Sequence, residues 1–408
     1  MELKFQSPSG ESATQARKTG GHDQQRRTMQ GATTPRGRGA RRRVWIAALI
    51  SMVFLSVLGA CIYPPTLLRV CPLFCGASVP PLQVLPPPPP RILSDQELST
   101  RVLVKDILSL PANLTEMPKI AFMFLTPGPL PLVKLWEDFF RGHEGKFSVY
   151  VHASKLSTLK TAWKSPLFAN HDIRSQKVDW GKISMVDAER RLITNALQDP
   201  DNQHFVLLSE SCIPVRSFDF VYDYLLGSNV SFVDCFDDPG PHGRGRYTNP
   251  FLPEIRVEEW RKGSQWFTVK RQHALLLIAD YVYYSKFKQI CRSGAETHNC
   301  YPDEHYVQTF LHMIDPSGIT NWSVTHVDWS EGKWHPKKYT REDVNIKLLK
   351  NIQAIDENVH VSSDLKKQLS RRPCMVNGER KPCYLFARKY LPETLNILLD
   401  VFPNITNT

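Results

Sequence analysis

One short run concentrates the residues that acid–base chemistry needs: Cys300-Tyr301-Pro302-Asp303-Glu304-His305. Pro302 closes a loop, Asp303 is of the residue type that caps helices, and Glu304 would open a helix running through Leu311. Cys291 lies nine residues before Cys300, so a 291–300 disulfide could staple the loop that presents Glu304. Closing a loop of about ten residues contributes on the order of 2–3 kcal/mol. A carboxylate fixed in this way can take the proton from a sugar hydroxyl as a general base. An acid drawn to a helix start by the macrodipole accounts for the same residues, and the pattern alone leaves both readings open.

A second constellation is basic. Arg371-Arg372-Pro373-Cys374 and Arg380-Lys381-Pro382-Cys383 flank an expected 374–383 disulfide, and Phe386-Ala387-Arg388-Lys389-Tyr390 follows. Cations held beside a diphosphate would stabilise a departing nucleotide without a metal ion; a solvated basic face is the competing account. A metal-dependent transferase would carry Asp-x-Asp after an apolar strand, to hold a divalent ion that bridges phosphates. The one such triplet, Asp199-Pro200-Asp201, precedes a strand and reads as turn chemistry. No metal site is expected. Gly-x-Ser-x-Gly, Walker, dinucleotide-binding and zinc-type Cys-x-x-Cys patterns are all absent from the sequence.

The elements that must position these residues alternate. Strands are expected at Lys119–Thr126 (KIAFMFLT), Phe147–His152, His204–Ser209 and Val230–Phe236, with a helix over Leu130–Arg141. Ile183, Val186, Ile193 and Leu197 share one face of a further helix. Near-continuous apolar strands separated by helices predict an α/β fold with a mainly parallel sheet covered on both faces. Ligands then sit at the carboxyl ends of the strands, here Thr126-Pro127-Gly128, His152-Ala153-Ser154 and Ser209-Glu210-Ser211.

The net charge of +11 over 408 residues suggests a nucleic-acid binder until it is located. Residues 1–43 hold ten basic and three acidic side chains, so the remaining 365 carry only about +4, an ordinary balance for a globular domain. Residues 1–43 therefore read as a disordered basic tail facing the cytosol. Val44 to Tyr63 is twenty residues without a charge, enough to span a bilayer core of roughly 30 Å. Arg41-Arg42-Arg43 precedes it, which predicts an uncleaved type II signal-anchor with the rest of the chain outside the cytosol. A cleaved signal peptide would have a shorter apolar core, and a buried helix would not be flanked by an Arg run and prolines. A Pro-rich stem over 64–117, with the run Pro86–Pro90, would hold the catalytic domain, 118–408, off the membrane. Eight cysteines beyond the anchor and the sequons at Asn113, Asn229, Asn321 and Asn404 fit an oxidising lumen and a glycoprotein. Cys71 and Cys75 in the stem could pair locally or link two chains into a homodimer. Residence in the Golgi membrane is the expected localisation.

With these residues in view, the chain resembles the core-2/I-branching β-1,6-N-acetylglucosaminyltransferases of glycosyltransferase family 14, and more closely their plant, BC10-like branch. The resemblance runs from Lys119 to Phe402. It is carried by FSVYVHAS (147–154), Trp180-Gly181-Lys182, FVLLSESCIP (205–214), GSQWFTV (263–269), YPDEH (301–305), Val327-Asp328-Trp329 and YLFARKY (384–390). It implies a GT-A-like fold, a UDP-sugar donor, a glycan or glycoprotein acceptor, inversion at the anomeric carbon and no required metal. It also implies Glu304 as catalytic base, Lys389 as a contact to the donor diphosphate and Trp329 as an aromatic on the acceptor side. Arg341, with Arg371 and Arg372 as rivals, is the expected companion arginine at the diphosphate, and Arg246 is placed near the acceptor by position. One departure matters: His152-Ala153-Ser154 stands where the animal enzymes have His-Val-Asp, so transfer of GlcNAc does not carry over automatically. A sulfotransferase would need a phosphosulfate loop that the sequence lacks, and a surface receptor a larger cytosolic region. A non-catalytic carbohydrate-binding or scaffolding protein on the same fold is the alternative, and Glu304 and Lys389 argue against it.

Overall fold

The computed structural model describes residues 51–52, 93–108, 117–155, 165, 167–168, 171–295, 298–333 and 335–406. Of the unit Met1–Pro88 only Ser51 and Met52 are described, both helical. The expected anchor at 44–63 otherwise lies outside the described residues, as do Cys71 and Cys75. No helix among the described residues is long and apolar enough to cross a membrane.

In the unit Pro89–Thr408 the strands run β1 Lys119–Thr126, β2 Phe147–Ala153, β3 Asn202–Ser209, β4 Ile213–Pro214, β5 Ser231–Asp234 and β6 Thr268–Lys270. They continue as β7 Ile319–Asn321, β8 Thr325–Val327, β9 Glu357–Val361, β10 Leu369–Pro373, β11 Met375–Val376, β12 Glu379–Arg380 and β13 Phe386–Arg388. Strand β1 is apolar from Ile120 to Leu125 because both of its faces are covered. Ile120, Phe122 and Phe124 enter one core with Trp136, Phe140 and Phe386, while Ala121, Met123 and Leu125 enter a second with Val186, Leu192 and Trp260. The central sheet has the order β2-β1-β3-β6-β5-β7. Strand β1 is parallel to β2 and β3, and β5 to β7, so the sheet is mostly parallel. Strand β6 departs from the expectation by running antiparallel to both β3 and β5.

Element boundaries differ where local chemistry intervenes. The first helix after β1 starts at Val133, not Leu130, because Pro131 holds the residue before it out of the helical region. Strand β5 stops at Asp234, and Phe236 makes only an isolated bridge to Lys262. The expected stem is partly folded. Helix Asp95–Leu108 buries Val102, and its acids Asp95 and Asp106 pair with Arg191 and Arg271 of the main body at 2.5 and 2.6 Å. Its start is a capping box: Ser94 Oγ accepts from the Glu97 amide at 3.2 Å and Glu97 Oε2 from the Ser94 amide at 3.0 Å. Both expected disulfides, Cys291–Cys300 and Cys374–Cys383, are formed, and Asn229 and Asn404 are exposed.

Asp199 and Asp201 lie at the amino end of β3. Lys119 Nζ pairs with both, at 3.0 and 3.4 Å, and Asp199 accepts the Asp201 amide, as a turn would have it. The opposite, carboxyl ends of β1, β2 and β3 open onto a cleft of about 830 Å³.

Candidate active site

Glu304 reaches this cleft from a 3-10 turn, Pro302–Glu304, and not from the first turn of a helix. The α-helix begins only at Tyr306, and Asp303 provides no side-chain cap. His305 breaks the helical path with φ −134° and ψ −31° because its buried ring is committed elsewhere. Its Nδ1–H donates to the Arg261 carbonyl at 2.7 Å, which leaves Nε2 as an acceptor. Arg246 Nη1 lies 3.3 Å from that nitrogen and 2.5 Å from Glu304 Oε2. Burial and the Arg246 charge push the His305 pKa well down, so the imidazole is neutral. Trp260 stacks on the same ring at 4.6 Å, and its Nε1–H donates to the Gly243 carbonyl at 3.1 Å. The Glu304 carbonyl accepts the Gly263 amide at 3.0 Å. One carboxylate oxygen is thus pinned by an arginine that is itself held by a neutral histidine. Among the described residues no donor reaches the other oxygen, Oε1, and the side chain is 32% exposed.

Arg246, expected at the acceptor, is 8% exposed and engaged with Glu304. Its guanidinium also lies 4.7 Å from the Tyr301 ring centre. Tyr301, Trp180 and His335 form an aromatic rim at the cleft mouth, with ring centres 5.4 and 5.7 Å from that of Trp180. Gly181 makes this packing possible. It has φ +67°, and a Cβ there would sit 2.6 Å from the Tyr301 ring. Trp329, 54% exposed, lines the same cleft. Ser154, at the departure from the animal pattern, accepts the Val178 amide through Oγ at 2.8 Å and ties the end of β2 to the Trp180 loop.

Lys389 lines the cleft directly after β13 and is half-buried. Burial, and then the neighbouring Arg388 charge, lower its pKa. Arg341 is exposed and does not line the cleft, and Arg371 and Arg372 lie on the exposed strand β10. Arg388 does line it. The structure therefore brings Glu304, Lys389, Trp329 and Arg246 together and leaves Arg341 outside.

Behind Glu304 lies a carboxyl pair that sequence patterns did not reveal. Asp303 is 6% exposed and its Oδ1 has no partner; Glu189 is 2% exposed, with one oxygen accepting from Gln265 at 2.8 Å and the other unpartnered. Burial, and then the Glu304 charge, raise the Asp303 pKa to about 7 from an ordinary 3.8. Burial, and then Asp303, raise Glu189 well above the usual carboxylate range. A raised carboxyl pKa means that the folded state binds the proton more tightly than the unfolded chain. The stability it contributes is complete below about pH 4 and lost as pH rises to about 7. Asp303→Asn is therefore expected to stabilise the ligand-free domain at pH 7–8 by on the order of 3 kcal/mol relative to pH 4. Denaturant unfolding of both proteins across this range checks it. Parallel stability curves would mean that Asp303 is charged in the fold.

The core-2/I-branching enzyme profile matches residues 120–353, more than half of the chain. The chain belongs to the core-2/I-branching enzyme family. It is, accordingly, a glycosyltransferase of core-2/I-branching type. It is also similar to the glycosyltransferase BC10 of Oryza sativa subsp. japonica, at 39% identity over 313 residues, covering 69% of this chain and 76% of the relative. In core-2/I-branching terms, the matched stretch contains Arg246, Glu304 and Trp329, while Arg388 and Lys389 follow it.

Proposed function

We propose that the protein is an inverting glycosyltransferase with a GT-A-like catalytic domain, anchored as a type II protein in the Golgi membrane. It transfers a sugar from a UDP-sugar to a hydroxyl of a glycan or glycoprotein, with chain cations taking the part that a divalent ion plays elsewhere. The observation that carries this reading is the meeting, in one cleft at the carboxyl ends of the parallel strands, of Glu304 with a free Oε1 and of Lys389. Similarity to the rice glycosyltransferase BC10 supports it.

Glu304 Oε1 accepts the acceptor hydroxyl proton while that oxygen bonds to the anomeric carbon. The bond from this carbon to the β-phosphate oxygen breaks on the opposite face, and UDP leaves with the electron pair. The Lys389 ammonium offsets the charge that accumulates there. Arg246 orients Glu304, and Trp329 offers a ring face to a sugar of the acceptor.

The test is a thermal-shift screen of the purified lumenal portion against nucleotides and nucleotide sugars in EDTA. UDP compounds are expected to stabilise the protein by roughly 2.7 kcal/mol at a hundred times their Kd, with no change on adding manganese. Stabilisation that appears only with manganese would overturn the metal-independent reading, and no response to any nucleotide would overturn the donor assignment.

A further inference from the structure

Strand β3 leads into an acid that no step of the reaction has used. Glu210 follows Ser209 at the tip of a tight turn, half-buried and in the cleft wall. The turn beneath it is held from within. The Cys212 amide donates to the Ser209 carbonyl at 3.2 Å, and the Ser211 amide to Ser209 Oγ at 3.3 Å. Ser209, Ser211 and Cys212 are all buried. The turn is also held from outside. The Ser211 carbonyl accepts the Tyr390 amide at 3.0 Å, and β4, directly after the turn, pairs with β13. Glu210 is therefore presented by fixed backbone, against the segment that carries Arg388 and Lys389.

Among the described residues the Glu210 carboxylate accepts no hydrogen bond and forms no ion pair. Burial lowers the pKa of Arg388 and of Lys389, and the Glu210 charge opposes that shift at both. The acid thus lies within Coulomb reach of two cations and in contact with neither. Arg388 is occupied instead by stacking on Trp266, its guanidinium carbon 4.1 Å from the ring centre. Sheet order gives the other neighbour. Strand β3 stands beside β6, and the chain entering β6 carries Gly263, whose amide donates to the Glu304 carbonyl at 3.0 Å. A donor with its diphosphate at the β13 cations and its anomeric carbon at Glu304 must pass its sugar over this floor.

What an unpaired carboxylate recognises is set by its charge. It accepts hydrogen bonds from the hydroxyls of a neutral sugar, and it repels a sugar that carries a carboxylate of its own. Partial withdrawal from water strengthens both effects. We propose that Glu210 selects the donor sugar, accepting hydroxyls of a neutral hexose or N-acetylhexosamine and turning away uronic-acid donors. This rests on the reading of the cleft as a UDP-sugar site and adds a substrate class to it.

The experiment measures the affinities of UDP, UDP-glucose and UDP-glucuronate in EDTA for the wild type and Glu210→Gln. The two sugars differ at one carbon, where a hydroxymethyl group becomes a carboxylate, so their affinity ratio isolates charge on the sugar. The wild type is expected to bind UDP-glucose at least about 10-fold more tightly than UDP-glucuronate. Glu210→Gln should narrow that ratio about 10-fold, because glutamine still bonds to hydroxyls but carries no charge. Glu210→Asp, which keeps the charge, should retain the discrimination. Glu210→Ala serves as the readout if the Gln variant does not fold. A carboxylate acting on the diphosphate alone would shift all three ligands by one factor; a ratio within twofold of wild type in the neutral variant that folds therefore sinks the proposal. So does a wild type without preference between the two sugars. A wild type that binds none of the three would instead overturn the UDP-sugar reading itself.

Discussion

Glu304→Gln is expected to lower the transfer rate about 10²- to 10⁴-fold while leaving UDP affinity within a small factor of wild type. Glutamine keeps the shape of the side chain, and its amide oxygen can still accept from Arg246, which now donates to Oε2 at 2.5 Å. What it cannot do is take a proton. The separation of rate from binding is therefore diagnostic. A removed base acts only in the transition state, so kcat and kcat/KM should fall together. Full transfer activity in a folded Glu304→Gln protein would remove Glu304 from the mechanism.

Lys389→Ala carries the second-largest effect, a fall in kcat of about 10²- to 10³-fold, the range found when one preorganised charge stabiliser is removed. The reason lies in timing. Negative charge on the departing diphosphate grows as the glycosidic bond stretches, so an ammonium partly withdrawn from water acts more strongly in the transition state than in the bound donor. Burial keeps this ammonium less solvated than a surface lysine, as its lowered pKa indicates. Single-turnover measurements with saturating donor check the prediction. A change confined to KM would mean that Lys389 binds donor and transition state equally and adds nothing to the chemical step.

Much of the architecture was legible because its physical signals are local. The six consecutive apolar residues of β1, Ile120 to Leu125, announced a strand covered on both faces, and its bounds fall where the pattern places them. The nine-residue Cys spacings foretold both disulfides. The site was legible only in part. Glu304 and Lys389 were found through motif resemblance, and they meet in one cleft although the motifs lie far apart in the chain. Strand β6 is three residues long and its direction is set by its neighbours, so no periodicity could reveal the antiparallel turn in the sheet. Asp303 was misread because acids before a helix usually cap it; here the helix waits until Tyr306 while His305 bonds to Arg261. Arg341 and Arg388 are indistinguishable by residue type, and only tertiary packing puts one in water and the other on Trp266. The helix Asp95–Leu108 did have a readable sign in Ser94-Asp95-Gln96-Glu97, overshadowed by the proline run before it.

The left-handed glycine at 181 has a reach beyond its own loop. A methyl group there would act as a wedge against Tyr301, whose ring supports the Arg246 guanidinium, whose hand in turn steadies the Glu304 carboxylate. The displacement would travel through three side chains, none of which needs to be replaced. A residue with no side-chain atoms is thereby a hidden tuning point for the cleft: lesions there would present as a misaimed carboxylate, in a protein whose core is untouched.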